Sequence, residues 1–113
     1  MIDESLPPVV EQVAERHPKV WEAYNQLGRA AAEAGPLSQQ TQRLVKLAIA
    51  VGGRLEGAVR SHVRRGLREG LTVEQIRHVA LLAITTAGWP SAIAAVSWIE
   101  DELQRKDAPS ARA

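Results

Sequence analysis

Cysteine is absent from the 113 residues, and this absence removes whole classes of chemistry. A chain without thiols forms no disulfide, holds no metal through thiolate ligands and offers no cysteine nucleophile. Phenylalanine is also absent, and aromatic residues make up only 4% of the chain. The core must therefore be built from Ala, Leu, Val and Ile, and a hydrophobic content of 45% is typical of a globular protein.

The chain also lacks an excess of either charge and any long apolar run. Fourteen basic residues against thirteen acidic ones give a net charge of +1, so we expect no nucleic-acid partner. No apolar run approaches the ~20 residues that span a bilayer, and the acidic first residues do not resemble a signal peptide. We therefore expect a cytoplasmic protein without a membrane partner.

Helical periodicity and strong stop signals predict an all-α fold. No run alternates with a period of two for long enough to indicate a strand. The predicted single domain covers residues 1–106, and 107–113 form a flexible tail. Six helices are predicted: 3–15, 18–34, one that Ser38 caps and Gly52-Gly53 ends, 54–69, one from Thr72 to Gly88, and one from Pro90 to about 106.

The fifth predicted helix indicates an oligomer. From Val79 to Ile84 every residue is apolar, and a helix that is apolar all round must be covered on all sides. In so small a domain a second subunit is the natural cover, although a central position in a monomer would also satisfy the pattern.

His62 is the leading candidate for a chemical centre. It lies within the apolar stripe of the fourth helix, where an ionisable ring needs a partner. Glu56, on the same helix, lies roughly 120° away around the axis, so we expect the partner of His62 to come from another helix. The alternative is a core histidine that donates to a backbone carbonyl.

The arginines of the fourth helix and Trp89 are the other notable polar or aromatic side chains. Arg60, Arg64 and Arg68 form one ridge with Glu56, which predicts a solvated ion-pair face. Trp89 either walls a small pocket or plugs one end of the bundle. The histidines are scattered and no nucleotide-binding motif occurs, so we expect neither a metal nor a cofactor.

Short motifs follow these helices in a distinctive order. They are Gly35-Pro-Leu-Ser38, Leu47-Ala-Ile-Ala-Val51, Glu56-Gly57, His62-Val-Arg64, Gly66-Leu67, Gly70-Leu-Thr72, Glu74-Gln-Ile76, Leu81-Leu-Ala-Ile84 and Gly88-Trp-Pro-Ser-Ala92. Over about residues 20–103 the chain resembles the carboxymuconolactone decarboxylase family, which includes the alkyl hydroperoxidase D-like proteins. The resemblance implies a helical bundle of the alkyl hydroperoxidase D-like type that assembles as a trimer or hexamer.

The peroxidase branch of that family carries C-x-x-C-x-x-x-H on the equivalent helix. The resemblance places its histidine on His62, its two cysteines on Leu55 and Ala58, and its proton-relaying glutamate near Arg43. Leucine and alanine cannot cycle between thiol and disulfide. Thiol-dependent peroxidase activity is therefore not expected.

The decarboxylase branch works without a metal or cofactor and has a Glu…His-Val-Arg pattern like Glu56…His62-Val-Arg64. By resemblance, His62 is the proton donor or acceptor, with Glu56 as a second catalytic candidate. Arg43, Arg60 or Arg64 would hold a substrate carboxylate through a forked contact, beside Trp89.

Two functions follow from the resemblance. In the first, the protein performs cofactor-free acid–base chemistry on a small carboxylate or lactone at His62, or binds such a ligand there. In the second, it is a redox-inactive relative of the hydroperoxidase D-like proteins that acts as a binding or assembly module.

Overall fold

The computed structural model describes residues 6–105, which contain six α-helices, one short 3-10 helix and no strand. The helices are α1 (Pro8–Arg16), α2 (Pro18–Glu33), α3 (Gln39–Gly52), α4 (Glu56–Arg68), α5 (Val73–Leu82) and α6 (Trp89–Leu103), with the 3-10 helix at Ala83–Thr85. This confirms the all-α prediction. The predicted tail, 107–113, lies outside the described residues. Within the described range no helix has the length and hydropathy to cross a membrane.

The described residues divide into two compact units, one that ends at Leu37 and one that begins at Ser38. In the first unit α1 and α2 pack together, and each has a proline in its first turn. Trp21 stacks on Tyr24 with ring centroids 5.8 Å apart. The prediction of a single domain over residues 1–106 remains a prediction.

In the second unit, local hydrogen bonds start and stop the helices where the sequence indicates. The Ser38 hydroxyl accepts from the backbone N–H of Thr41, and Thr72 with Gln75 forms the predicted capping box. Helix α4 ends in a Schellman motif, in which Leu71 N–H donates to Gly66 O and Gly70 N–H donates to Leu67 O. Gly70 has the positive φ of 99° that this motif requires.

The core of the second unit is aliphatic, as the composition predicts. Every helix from α3 to α6 and the connection between α4 and α5 contribute to it, through Leu47, Ala50, Val51, Val59, Val63, Leu67, Leu71, Ile76, Ala80, Ala95 and Ile99. Burial of such side chains removes apolar surface from water, at roughly 1.5–3 kcal/mol for each fully buried Val, Leu or Ile. The same burial fixes α3 against α4, which is the packing that builds the site described below.

The prediction that the fifth helix continues to Gly88 is wrong. Helix α5 ends at Leu82, and the carbonyl of Ala83 accepts from the N–H groups of Thr86, Ala87 and Gly88, which tightens the chain into a turn. The apolar run is also incompletely covered within one chain. Leu81 and Leu82 are 55% and 58% exposed.

The predicted solvated arginine ridge is only partly correct. Arg60 does pair with Glu56, four residues earlier, and also with Asp101. Arg64 is instead buried, and its Nη1 donates to Glu102 Oε1 over 2.7 Å, where Glu102 is fully buried. A buried ion pair is sensitive to loss of one partner, because the remaining charge stays desolvated.

Glu102→Ala is expected to lower the free energy of unfolding by about 3–5 kcal/mol, because Arg64 keeps a buried charge without its partner. Replacing both residues, Arg64→Met with Glu102→Leu, is expected to recover most of this loss. Urea unfolding followed by circular dichroism measures both. The control is Asp101→Ala, which removes an exposed ion pair and is expected to cost less than about 1 kcal/mol. Equal losses in Asp101→Ala and Glu102→Ala would contradict the argument.

Candidate functional site

His62 meets an arginine from the neighbouring helix. Arg43 on α3 places its Nη1 2.7 Å from Nδ1 of His62 on α4. A guanidinium group only donates hydrogen bonds, so Nδ1 is the acceptor and the neutral ring carries its hydrogen on Nε2. This confirms the prediction that the partner of His62 comes from another helix. The partner is an arginine side chain, and not the backbone carbonyl of the alternative interpretation.

A carboxylate holds the other side of Arg43. Its Nε and Nη2 donate to the two carboxylate oxygens of Glu69, each over 2.9 Å. The side chains of Arg43 and Glu69 are only 12% and 19% exposed, so solvent screens this forked pair weakly. Glu69, Arg43 and His62 therefore form one continuous hydrogen-bonded chain.

The absence of a side chain at Gly66 leaves room for Arg43 beside α4. It lies one turn after His62 on α4, and a Cβ atom built there would come within 2.8 Å of Leu71 Cδ1 and 3.4 Å of Arg43 Cγ. A larger residue would displace one of these two side chains. The missing side chain at Gly66 thus lets the stem of Arg43 lie against α4.

The surroundings keep His62 neutral. Burial lowers its pKa, the positive charges of Arg43, Arg65 and Lys46 lower it further, and Glu69 only partly opposes them, so the pKa falls from 6.5 to about 4. The same three cations against one carboxylate make the surroundings of the ring electropositive. The site combines a neutral imidazole with a potential that attracts anions.

The Nε2–H of His62 is available to a ligand. Among residues 6–105 no group accepts a hydrogen bond from it. Nε2 is also not among the buried polar side-chain atoms that lack a hydrogen-bond partner. The ring is half-buried, with Nδ1 occupied by Arg43. A ligand oxygen could therefore accept from Nε2 without displacing any protein group of this range.

The structure does not bring the other predicted site residues to His62. Glu56 pairs with Arg60, and Arg64 pairs with Glu102, with no hydrogen bond or ion pair to His62 within the described part of the chain. Trp89 begins α6 and is 62% exposed, so it does not plug the bundle within this chain. Their predicted roles in substrate binding or catalysis remain predictions.

The two positions that the resemblance assigns to cysteines lie at the start of α4. Leu55 precedes the first turn and is 53% exposed, whereas Ala58 is partly buried against the core. Neither carries a group that titrates or exchanges electrons. Among the described residues no three His, Asp or Glu side chains gather as metal ligands.

The sequence patterns did not predict three residues near His62, which are Glu69, Lys46 and Arg65. Glu69 lies seven residues after His62, which is two helical turns and therefore the same face of α4. That spacing could have indicated Glu69 as a neighbour of His62, but the same spacing is equally compatible with a solvent-exposed side chain. Only the position of Arg43 on α3 gives Glu69 its role.

Comparisons with known proteins identify the family. The profile of the carboxymuconolactone decarboxylase family matches residues 18–101. An uncharacterized protein of Haemophilus influenzae is 39% identical over 51 residues, a match that spans 45% of this chain and 45% of that protein.

The fold agrees with this match. The chain is similar to the crystal structure of the apo form of a carboxymuconolactone decarboxylase family protein from Legionella pneumophila, with a TM-score of 0.68 and 23% identity. The similarity covers 82% of this chain and 86% of that one. With a family profile matched over most of its length, this cysteine-free chain belongs to the carboxymuconolactone decarboxylase family.

Proposed function

We propose that this protein binds a small carboxylate or lactone at His62 and assists cofactor-free chemistry on it by stabilising negative charge on a ligand oxygen. The observation that carries the proposal is a neutral imidazole whose Nε2–H is unoccupied among the described residues, in surroundings where cations outnumber carboxylates. An anion gains from that potential, and a carbonyl or carboxylate oxygen can accept from Nε2.

The neutral state of His62 defines its chemical role. A ring whose pKa is about 4 does not carry an imidazolium proton at neutral pH. It acts instead as a hydrogen-bond donor to an oxygen on which negative charge develops. This happens when the C–C bond to a carboxylate breaks, carbon dioxide leaves, and the electron pair of that bond moves onto a neighbouring carbonyl to give an enolate. A neutral histidine is a known electrophile of this kind in another enzyme class.

The arginines divide their roles in this proposal. The fork of Arg43 binds Glu69, so Arg43 orients His62 and does not grip the substrate. Arg60 and Arg64 are engaged by Asp101 and Glu102, respectively. Lys46 and Arg65 supply the positive potential that draws a carboxylate toward the ring.

The second candidate function is a binding or assembly module without redox chemistry. The exposed apolar side chains of the second unit favour it. Those at least 40% exposed are Val45, Ile49, Leu55, Leu81, Leu82, Trp89 and Ile93. Apolar side chains that lie together on a surface mark protein–protein interaction sites.

We further propose that a second copy of this chain covers α5, in a trimer or hexamer. Leu81 and Leu82 are neighbours in sequence and point about 100° apart, yet both are exposed. A symmetric assembly would remove this surface from water at roughly 25 cal/mol per Å². Catalysis and assembly are compatible, because the covered residues lie on α5 and the His62 pair lies between α3 and α4.

The ligand prediction is tested by thermal shift with adipate, benzoate, γ-butyrolactone and its γ-carboxylate. A ligand at about 100 times its Kd stabilises the fold by about 2.7 kcal/mol, a rise in Tm of the order of 10 °C. The rise is expected for a carboxylate or lactone and is expected to vanish in His62→Ala. The control His78→Ala removes an exposed histidine on α5. A rise of equal size in His62→Ala would contradict a site at His62.

The neutral state of His62 is tested by NMR titration, with an expected midpoint near 4 instead of 6.5. The unfolded chain takes up this proton near its ordinary pKa and the folded chain only at lower pH. Stability is therefore expected to fall as pH drops from about 6.5 toward 4, and His62→Gln should remove that part of the pH dependence. A midpoint near the ordinary value would refute the proposed role of His62.

The assembly prediction is tested by sedimentation velocity at micromolar concentration. The parent protein is expected to sediment as a trimer or hexamer, and Leu82→Glu as a smaller species, because a carboxylate cannot remain in an apolar interface. The control Val20→Glu alters an equally exposed residue of the first unit, at 62% against 58%, and should keep the parent mass. A parent that sediments only as a monomer would exclude this proposal.

A further inference from the structure

We propose that Glu69 is the positioning residue of the site. By holding one edge of Arg43 it directs the remaining nitrogen to His62, keeps the ring in its Nε2–H tautomer, and so selects ligands that offer a hydrogen-bond acceptor. The inference deepens the proposed function, on which the ligand preference rests. The tautomer itself can be measured without a ligand.

The geometry of the guanidinium links the three residues. Its nitrogens lie in one plane and present donors in fixed directions. When Nε and Nη2 both donate to Glu69, the orientation of the whole group is set, and Nη1 reaches Nδ1 of His62 over 2.7 Å. A single contact with Glu69 would leave the group free to rotate away from the ring.

Glu69 is itself held in place. It caps the C-terminus of α4, where its backbone N–H donates to the carbonyls of Arg65 and Gly66. Gln40 on α3 donates from Nε2 to the carbonyl of Glu69 over 3.3 Å. Burial acts to raise the pKa of the Glu69 carboxyl, but the hydrogen bonds and charge of Arg43, together with the charge of Arg65 and a hydrogen bond from Gln39, outweigh it and lower the pKa. Glu69 is thus an ionised acceptor at neutral pH.

The tautomer determines which ligand groups the ring can accept. With Nδ1 accepting from Arg43, only Nε2–H faces a ligand, and a donor such as an ammonium or hydroxyl hydrogen finds no lone pair there. The nearby Arg43, Lys46 and Arg65 also disfavour cations. An acceptor oxygen, as in a carboxylate, a lactone carbonyl or an enolate, satisfies the ring.

The other explanation of the Arg43–Glu69 pair is a purely structural clamp between α3 and the end of α4. Both explanations predict that loss of the pair lowers stability. They differ in what happens to the ring of His62, because a clamp has no effect on which nitrogen carries the hydrogen. The test therefore measures the tautomer of His62 and the stability of the protein separately.

The experiment is long-range ¹H–¹⁵N correlation NMR of histidine-labelled protein at neutral pH, without ligand. The parent is expected to show His62 with the hydrogen on Nε2 alone. In Glu69→Gln the side-chain NH₂ faces an arginine donor in place of an acceptor oxygen, so Arg43 turns and an Nδ1–H fraction on the order of a tenth or more is expected. If Glu69→Gln does not fold, Glu69→Asp, which is one methylene shorter, is judged by the same criterion.

The matched control is Glu100→Gln. Glu100 makes the same forked pair with Arg77, with both bonds at 2.8 Å, but away from the His62 chain. This variant should leave the His62 tautomer unchanged. An Nδ1–H ring in the parent, or an unchanged tautomer in Glu69→Gln with only a lower Tm, would overturn the positioning role. A parent ring fixed as Nε2–H that loses this tautomer in Glu69→Gln, combined with no ligand binding, would refute the proposed function and the ligand preference but leave the positioning role of Glu69 intact.

Discussion

The site depends on one constraint, which is that a guanidinium donates hydrogen bonds and never accepts them. Arg43 donates two hydrogen bonds to Glu69 and a third to His62, and this geometry sets the orientation and tautomer of the imidazole. Burial lowers the pKa of the ring most, and the charges of Arg43, Arg65 and Lys46 lower it further, so the ring is neutral. A histidine that would otherwise titrate near neutrality becomes a permanent hydrogen-bond donor.

The same fold can lose thiol chemistry without losing its core. The resemblance places the cysteines of the peroxidase branch on Leu55, which is exposed, and on Ala58, which is only partly buried. The buried core contacts of α4 come from Val59, Val63 and Leu67. Chemistry at the first turn and packing along the rest of α4 are therefore separable, which is why a family member without cysteine keeps the family fold.

The arginines of α4 show how burial changes the meaning of a charge. Arg60 remains near solvent and bridges Glu56 and Asp101, whereas Arg64 enters the interior and meets the fully buried Glu102. Four residues separate the two arginines, yet one contributes little to stability and the other carries a desolvated charge. Helical spacing alone places them on one ridge, and only the packing of α6 separates their roles.

The sequence by itself determined what depends on near neighbours. Local features could be predicted because they act within one helical turn. They are the Ser38 cap, the Thr72–Gln75 capping box and the glycine at position 70. The inward face that carries His62 could also be predicted, from helical periodicity. The end of α5 could not be predicted, because the turn at Ala83 lies within a run that is apolar throughout and contains no stop signal. Tertiary structure alone decided the site. Arg43 and Glu69 are separated by 26 residues, and Arg64 and Glu102 by 38. Contacts at such separations depend on how whole helices pack, which no local pattern specifies.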